Sequence, residues 1–135
     1  MEQFGKHTII NREKYDMIMI DIYKKEPTSL QWIFFMENLK ETISYFKTNN
    51  RKFGFVFNIE KLGGIPNLKY IKEYSDFFRK NEDLLEKNLI CSCVFNNSNI
   101  IRTIWDITMK VYTSKKEIIF INMDQEPHNV FDEKL

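Results

Sequence analysis

Apolar residues recur along this chain in two rhythms, and the switches between them mark its elements. His7 to Asn11 reads as a short strand, Asn11-Arg12-Glu13-Lys14 as a polar turn, and Asp16 to Tyr23 as a nearly continuous apolar run. Two strands with so short a connection predict an antiparallel hairpin. The second carries Ile18, Ile20 and Ile22 on one face and Met17, Met19 and Tyr23 on the other. Apolar residues on both faces predict an interior place in a sheet.

The rhythm then changes to three and four. Pro27 breaks the chain, and Thr28 and Gln31 stand at capping-box spacing. Trp32, Met36, Leu39, Ile43 and Phe46 form one stripe, predicting a helix from about Ser29 to Thr48. KFGFVFNI, Lys52 to Ile59, is a buried strand by its aromatic and β-branched content. Gly63-Gly64-Ile65-Pro66 is the strongest loop signal in the chain. A helix follows from Asn67, with Leu68, Ile71, Tyr74 and Phe78 as its stripe and Asn81-Glu82-Asp83 as an interruption or a fresh start.

LICSCVF, Leu89 to Phe95, is the next buried strand, and Asn96-Asn97-Ser98-Asn99 is a turn rich in N-cap residues. The helix from Asn99 to about Tyr112 is apolar on two faces. Ile100, Ile104, Ile107 and Val111 predict the core stripe; Ile101, Trp105 and Tyr112 form a second one. That second stripe is either an exposed patch or is covered by the terminal helix at Val130 and Phe131. EIIFIN, Glu117 to Asn122, is the last strand. The order β-β-α-β-α-β-α-β-α predicts one α/β domain over residues 1–135: a mixed, mostly parallel five-stranded sheet with an antiparallel N-terminal hairpin and packed helices.

Composition narrows the function classes. The 135 residues carry 20 basic and 19 acidic side chains, a net charge of +1. No field of one sign favours nucleic acid, so no nucleic-acid partner is expected. Alanine is absent, a bias typical of an AT-rich coding sequence, and the core must be filled by bulky side chains. The N-terminus is polar and no apolar stretch is long enough to span a bilayer. Cys91 and Cys93 sit in an apolar run and read as buried, reduced thiols, which places the protein in the cytoplasm.

Catalytic chemistry is poorly provided for. His7 and His128 lie near opposite termini and read as surface residues. No nucleophile and base stand at a telling spacing, Cys91-Ser92-Cys93 supplies too few ligands for structural zinc, and Gly63-Gly64 lacks the remainder of a phosphate-binding loop. Neither catalytic residues, metal nor cofactor are expected. An enzyme would have to assemble distant groups such as Asp21, Cys91 and His128. Asp16 and Asp21 read as solubilising strand ends.

The segment from Leu89 to Asn122 carries a family resemblance. A buried strand meets Asn97-Ser98, a helix IIRTIWDITMKVY with a central Trp105, the turn Thr113-Ser114-Lys115-Lys116, and a final strand. This run, and the element order of the whole chain, resembles the STAS superfamily (sulfate transporter and anti-sigma-factor antagonist), in particular its small members related to CRAL-TRIO lipid-binding domains. The resemblance implies a protein-interaction or regulatory module, or alternatively a small carrier or sensor of an apolar, lipid-like ligand. The stretch Gly63 to Leu68 lacks the hydroxyl that STAS phospho-switches place there, and the chain is short for a deep lipid cavity. The expected partner- or ligand-binding residues are Gly63, Gly64 and Asn67 at the loop, Asn97 and Ser98 at the neighbouring turn, and Ile101 and Trp105 on the helix. Self-association through that helix or an edge strand is a variant of the partner reading.

Overall fold

Strand β2 (Asp16–Ile22) has neighbours on both edges, as its two apolar faces require. β1 (Gly5–Asn11) pairs with it antiparallel, and β3 (Phe53–Asn58) pairs with it in parallel. The computed structural model describes residues 2–96 and 98–135. β4 (Leu89–Phe95) and β5 (Ile118–Ile121) add in parallel, giving one five-stranded sheet in the order β1-β2-β3-β4-β5. The α/β class, the mixed sheet and the antiparallel hairpin are those expected from the sequence.

Sequential order has a consequence for the helices. Each right-handed crossover steps the same way across the sheet, so every connecting helix lands on the same face. These are α1 (Ser29–Asn49), α2 (Leu68–Lys80), α3 (Glu82–Asn88) and α4 (Asn99–Val111). Their inward side chains, Leu39, Ile43, Phe46, Phe78, Leu85 and Ile104 among them, pack with Ile18, Ile20, Phe53, Phe55 and Phe57. Among the described residues the opposite face is covered by α5 (Pro127–Lys134), with Phe131 fully buried against Tyr15, Met17, Val56, Cys91 and Cys93. The Tyr15 hydroxyl donates to Asp132 Oδ1 at 2.8 Å and lies 3.1 Å from the His128 carbonyl, pinning α5 down. Burial and the acceptor Asp132 push the Tyr15 pKa up to about 12.

Local signals place the ends. Thr28 and Gln31 form the capping box, each side chain bonded to the other's backbone N–H. α1 ends at Asn50, in the left-handed region at φ 50°. A bulge in β4 sets its facing: Phe53 pairs with Leu89, but Phe55 pairs with Ser92, so β4 carries one extra residue. Leu89 therefore joins the helix-side core while Cys91, two residues on, joins the α5 side.

Four expectations are corrected here. Asp16 is no solubilising end; it is fully buried, and Arg51 grips it with Nε and Nη2 at 3.0 and 2.9 Å. His7 is not a surface residue but is 5 % exposed. Leu68 does not join the core stripe of α2; it is 55 % exposed in the first turn. The inward face of α4 is Ile101, Ile104 and Trp105, with Ile100 turned to solvent. Bringing Trp105 inward buries the largest apolar side chain on the helix, which outweighs burying Ile100. The terminal helix plays no part in covering that face, because α5 lies across the sheet from α4.

Candidate functional site

The helices do not close completely on the sheet. Between them lies an apolar cavity of about 140 Å³. Its floor is β3, where Phe55 and Phe57 stand on the helix side because alternate strand residues share a face. Phe35 of α1, Tyr74 and Phe78 of α2, and Trp105 of α4 build the walls. The floor runs along β3 from Phe55 to Phe57 and on to Ile59 beyond the strand.

The two ends differ in chemistry. At the rim where the parallel strands finish, Phe4, Trp32, Pro66 and Tyr70 surround the cavity. Trp32 donates its indole N–H to Glu73 and packs on Tyr70, with ring centres 4.8 Å apart, which ties α1 to α2. At the other end stand Glu82, Glu86, Lys115 and Lys116. Lys115 reaches Glu82 at 3.4 Å and Glu86 at 3.6 Å, and its hydrogen bond to Glu82 raises its pKa.

One polar chain is built into the apolar wall. His7 Nδ1 lies 2.8 Å from Asn38 Oδ1 and His7 Nε2 lies 2.9 Å from the Tyr74 hydroxyl. Asn38 Oδ1 can only accept, so the proton sits on Nδ1 and Tyr74 donates to Nε2. Burial holds His7 in this neutral form, its pKa lowered to about 4. Burial likewise raises the Tyr74 pKa well above its ordinary value. Phe35 packs against both rings, 4.5 Å from His7 and 5.5 Å from Tyr74. His7 and Phe35 also border a wider hollow of about 420 Å³ outside β1, whose other walls include Glu2, Gln3 and Lys6.

Trp105 contributes a donor without an acceptor. Its ring meets Phe57 edge-on with centres 4.9 Å apart. Its indole N–H is buried and has no hydrogen-bond partner among the described residues.

The residues singled out from sequence are scattered around this cavity rather than gathered in it. Gly63 takes a left-handed conformation, φ 73°, where it closes the short 3-10 turn Glu60–Leu62. Gly64 lies beside the Lys25 side chain, and Asn67 caps α2 by accepting the Lys69 N–H at 3.0 Å. Ser98 is the N-cap residue of α4, without a side-chain capping bond, and Asn97 lies outside the described residues. The loop and Ser98 do share the rim at the carboxyl ends of β3 and β4. Ligand crevices of open α/β sheets form where strand order reverses, and this order never does. Ile101 is 1 % exposed and Trp105 9 % exposed, so neither presents an apolar patch to a partner. Of the six that lie among the described residues, Trp105 alone lines the cavity.

From the sequence, Phe55 and Phe57 read only as a buried strand and Tyr74 as a helix stripe, and Phe35 falls outside the predicted stripe of α1. A signal was present: Phe53, Phe55 and Phe57 put three aromatic rings on one face of one strand. Among the described residues no three His, Cys, Asp or Glu side chains cluster as metal ligands, and no helix is long and apolar enough to cross a membrane. None of the known protein families, curated proteins or solved structures compared with this chain matches it.

Proposed function

We propose that this protein binds a small apolar molecule in the cavity beneath α2 and does not transform it, acting as a carrier or sensor. The observation that carries the reading is the aromatic-walled apolar space itself. Protein cores are packed to the density of organic crystals, and an apolar void of this size is a departure from that density. An apolar cavity of about 150 Å³ stays dry and accepts a benzene-sized guest. A guest of six to eight heavy atoms is the scale that fits, with any longer tail leaving through an end. The CRAL-TRIO resemblance of the β4–α4–β5 segment supports the same reading, at a scale below that of a full lipid carrier. An intracellular location goes with it, because Cys91 and Cys93 are free and buried.

The test is a titration of the purified protein with octane, followed by two-dimensional NMR. Saturable shifts at Phe57, Tyr74 and Trp105, abolished by Ser75→Leu, are expected. Ser75 is buried on α2 and lines the cavity, so leucine there fills it. Shifts that do not saturate, or that survive Ser75→Leu in a folded protein, overturn the reading.

A separate observation favours a protein-interaction module. Leu30, Ile33 and Phe34 stand exposed at i, i+3 and i+4 on α1. Three large apolar side chains on one outward turn form a patch of the kind partners cover. Sedimentation of the wild type against Phe34→Glu tests its use in self-association: a dimer lost in the variant supports it, and a wild-type monomer at all concentrations removes it.

A further inference from the structure

The geometry points to a ligand that carries a neutral hydrogen-bond acceptor, a carbonyl or ether oxygen, taken by the indole N–H of Trp105. The inference rests on the cavity reading above and names the class of molecule that reading admits.

The two tryptophans make the argument by contrast. Both line the cavity. Trp32 gives its N–H to a carboxylate, Glu73 Oε2. Trp105 is nine-tenths buried and its N–H has no partner among the described residues. Buried polar groups are almost always paired, and an orphaned donor loses its hydration without return. An acceptor arriving with a ligand removes that loss, so the bond it forms discriminates strongly against a pure hydrocarbon.

Two other donors on the wall, Tyr74 and Thr108, are already committed to the protein. Tyr74 gives its hydroxyl proton to His7 Nε2, and Thr108 gives its own to the Ile104 carbonyl at 2.8 Å. The acceptor is neutral for an electrostatic reason. A carboxylate or phosphate buried on a single N–H has too little to offset its lost hydration. The cations on the wall, Lys115 and Lys116, stand at one end, and Lys115 is held by Glu82 and Glu86. The indole nitrogen is shielded from water in this structure, and the ring must therefore turn its N–H toward the guest for the bond to form.

Two probes of one shape test this: heptan-2-one, and 2-methylhept-1-ene with a CH2 group in place of the oxygen. Their affinities are measured by NMR titration on the wild type and on Trp105→Phe, which keeps a ring and removes the donor. In the wild type the Trp105 indole proton resonance is expected to move downfield with the ketone and not with the alkene. The ketone-to-alkene affinity ratio is expected to fall about five- to tenfold in Trp105→Phe, the worth of one net hydrogen bond. An unchanged ratio with an unmoved indole resonance, while both probes bind, overturns the inference and leaves the cavity reading standing. If neither probe binds the wild type, the cavity reading fails and the inference fails with it. The indole resonance is read on the wild type, so the test holds even if the variant does not fold.

Discussion

The Tyr74 hydroxyl lies 2.9 Å from His7 Nε2, joining a helix to the edge strand across the wall of the cavity. Sixty-seven residues separate the two in the chain. In this direction the bond requires a neutral imidazole; a protonated Nε2 would have to donate to the hydroxyl instead. Stability and cavity wall are therefore linked through one proton.

That link fixes a pH dependence. The His7 pKa falls from 6.5 to about 4 on folding, mainly because burial disfavours the charged ring. Between those values the unfolded chain holds the proton and the folded chain does not, so acid favours unfolding. The contribution is fully present above pH 6.5 and is lost as pH falls through about 4; it amounts to ~3 kcal/mol at most. Urea denaturation at pH 7 and pH 4.5 should show a smaller acid-induced loss for His7→Gln than for the wild type. Parallel losses would show that other groups carry the dependence.

Arg51 and Asp16 predict a second effect. Asp16 is fully buried, and Arg51 binds both of its oxygens while also donating Nη2 to the Arg12 carbonyl in the hairpin turn. Removing the arginine leaves a buried carboxylate with Asn11 as its remaining side-chain donor. Arg51→Ala should cost roughly 2 to 4 kcal/mol, and under ~1 kcal/mol when Asp16 is already Asn. Chemical denaturation of the four proteins of this cycle measures it; equal costs in both backgrounds would refute the coupling.

The far face of the sheet gives a third. A Cβ on Gly54 would overlap the ring of Phe131, so the glycine exists to let α5 approach. Gly54→Ala should destabilise by about 1 to 3 kcal/mol and raise the hydrogen exchange of α5. In a Phe131→Leu background the same change should cost under ~0.5 kcal/mol. A cost that stays constant would locate the strain elsewhere.

Much of the fold was legible locally, and particular residues show how. Thr28 and Gln31 announced the start of α1, and the two-faced run from Asp16 to Ile22 announced an interior strand. The candidate site was far less legible. Gly63, Gly64, Asn67 and Ser98 stood out because turns and caps have sharp sequence signatures, and turns and caps are what they form. The cavity has no such signature, since its walls are ordinary core residues contributed by four elements.

The sequence by itself determined which residues share a face of the regular strands, because the strand period is a property of the backbone, but not at the β4 bulge, where Leu89 and Cys91 part. It also determined that the later strands pair in parallel, because strands that alternate with helices must cross over, while their order came from the tertiary structure. Tertiary structure alone decided which residues of α4 turned inward, that His7 was buried against Tyr74, and that the helix layer leaves a cavity over Phe55 and Phe57. Those outcomes depend on how two independently shaped surfaces meet. A void is the mismatch between such surfaces, and no single segment of the chain contains both of them.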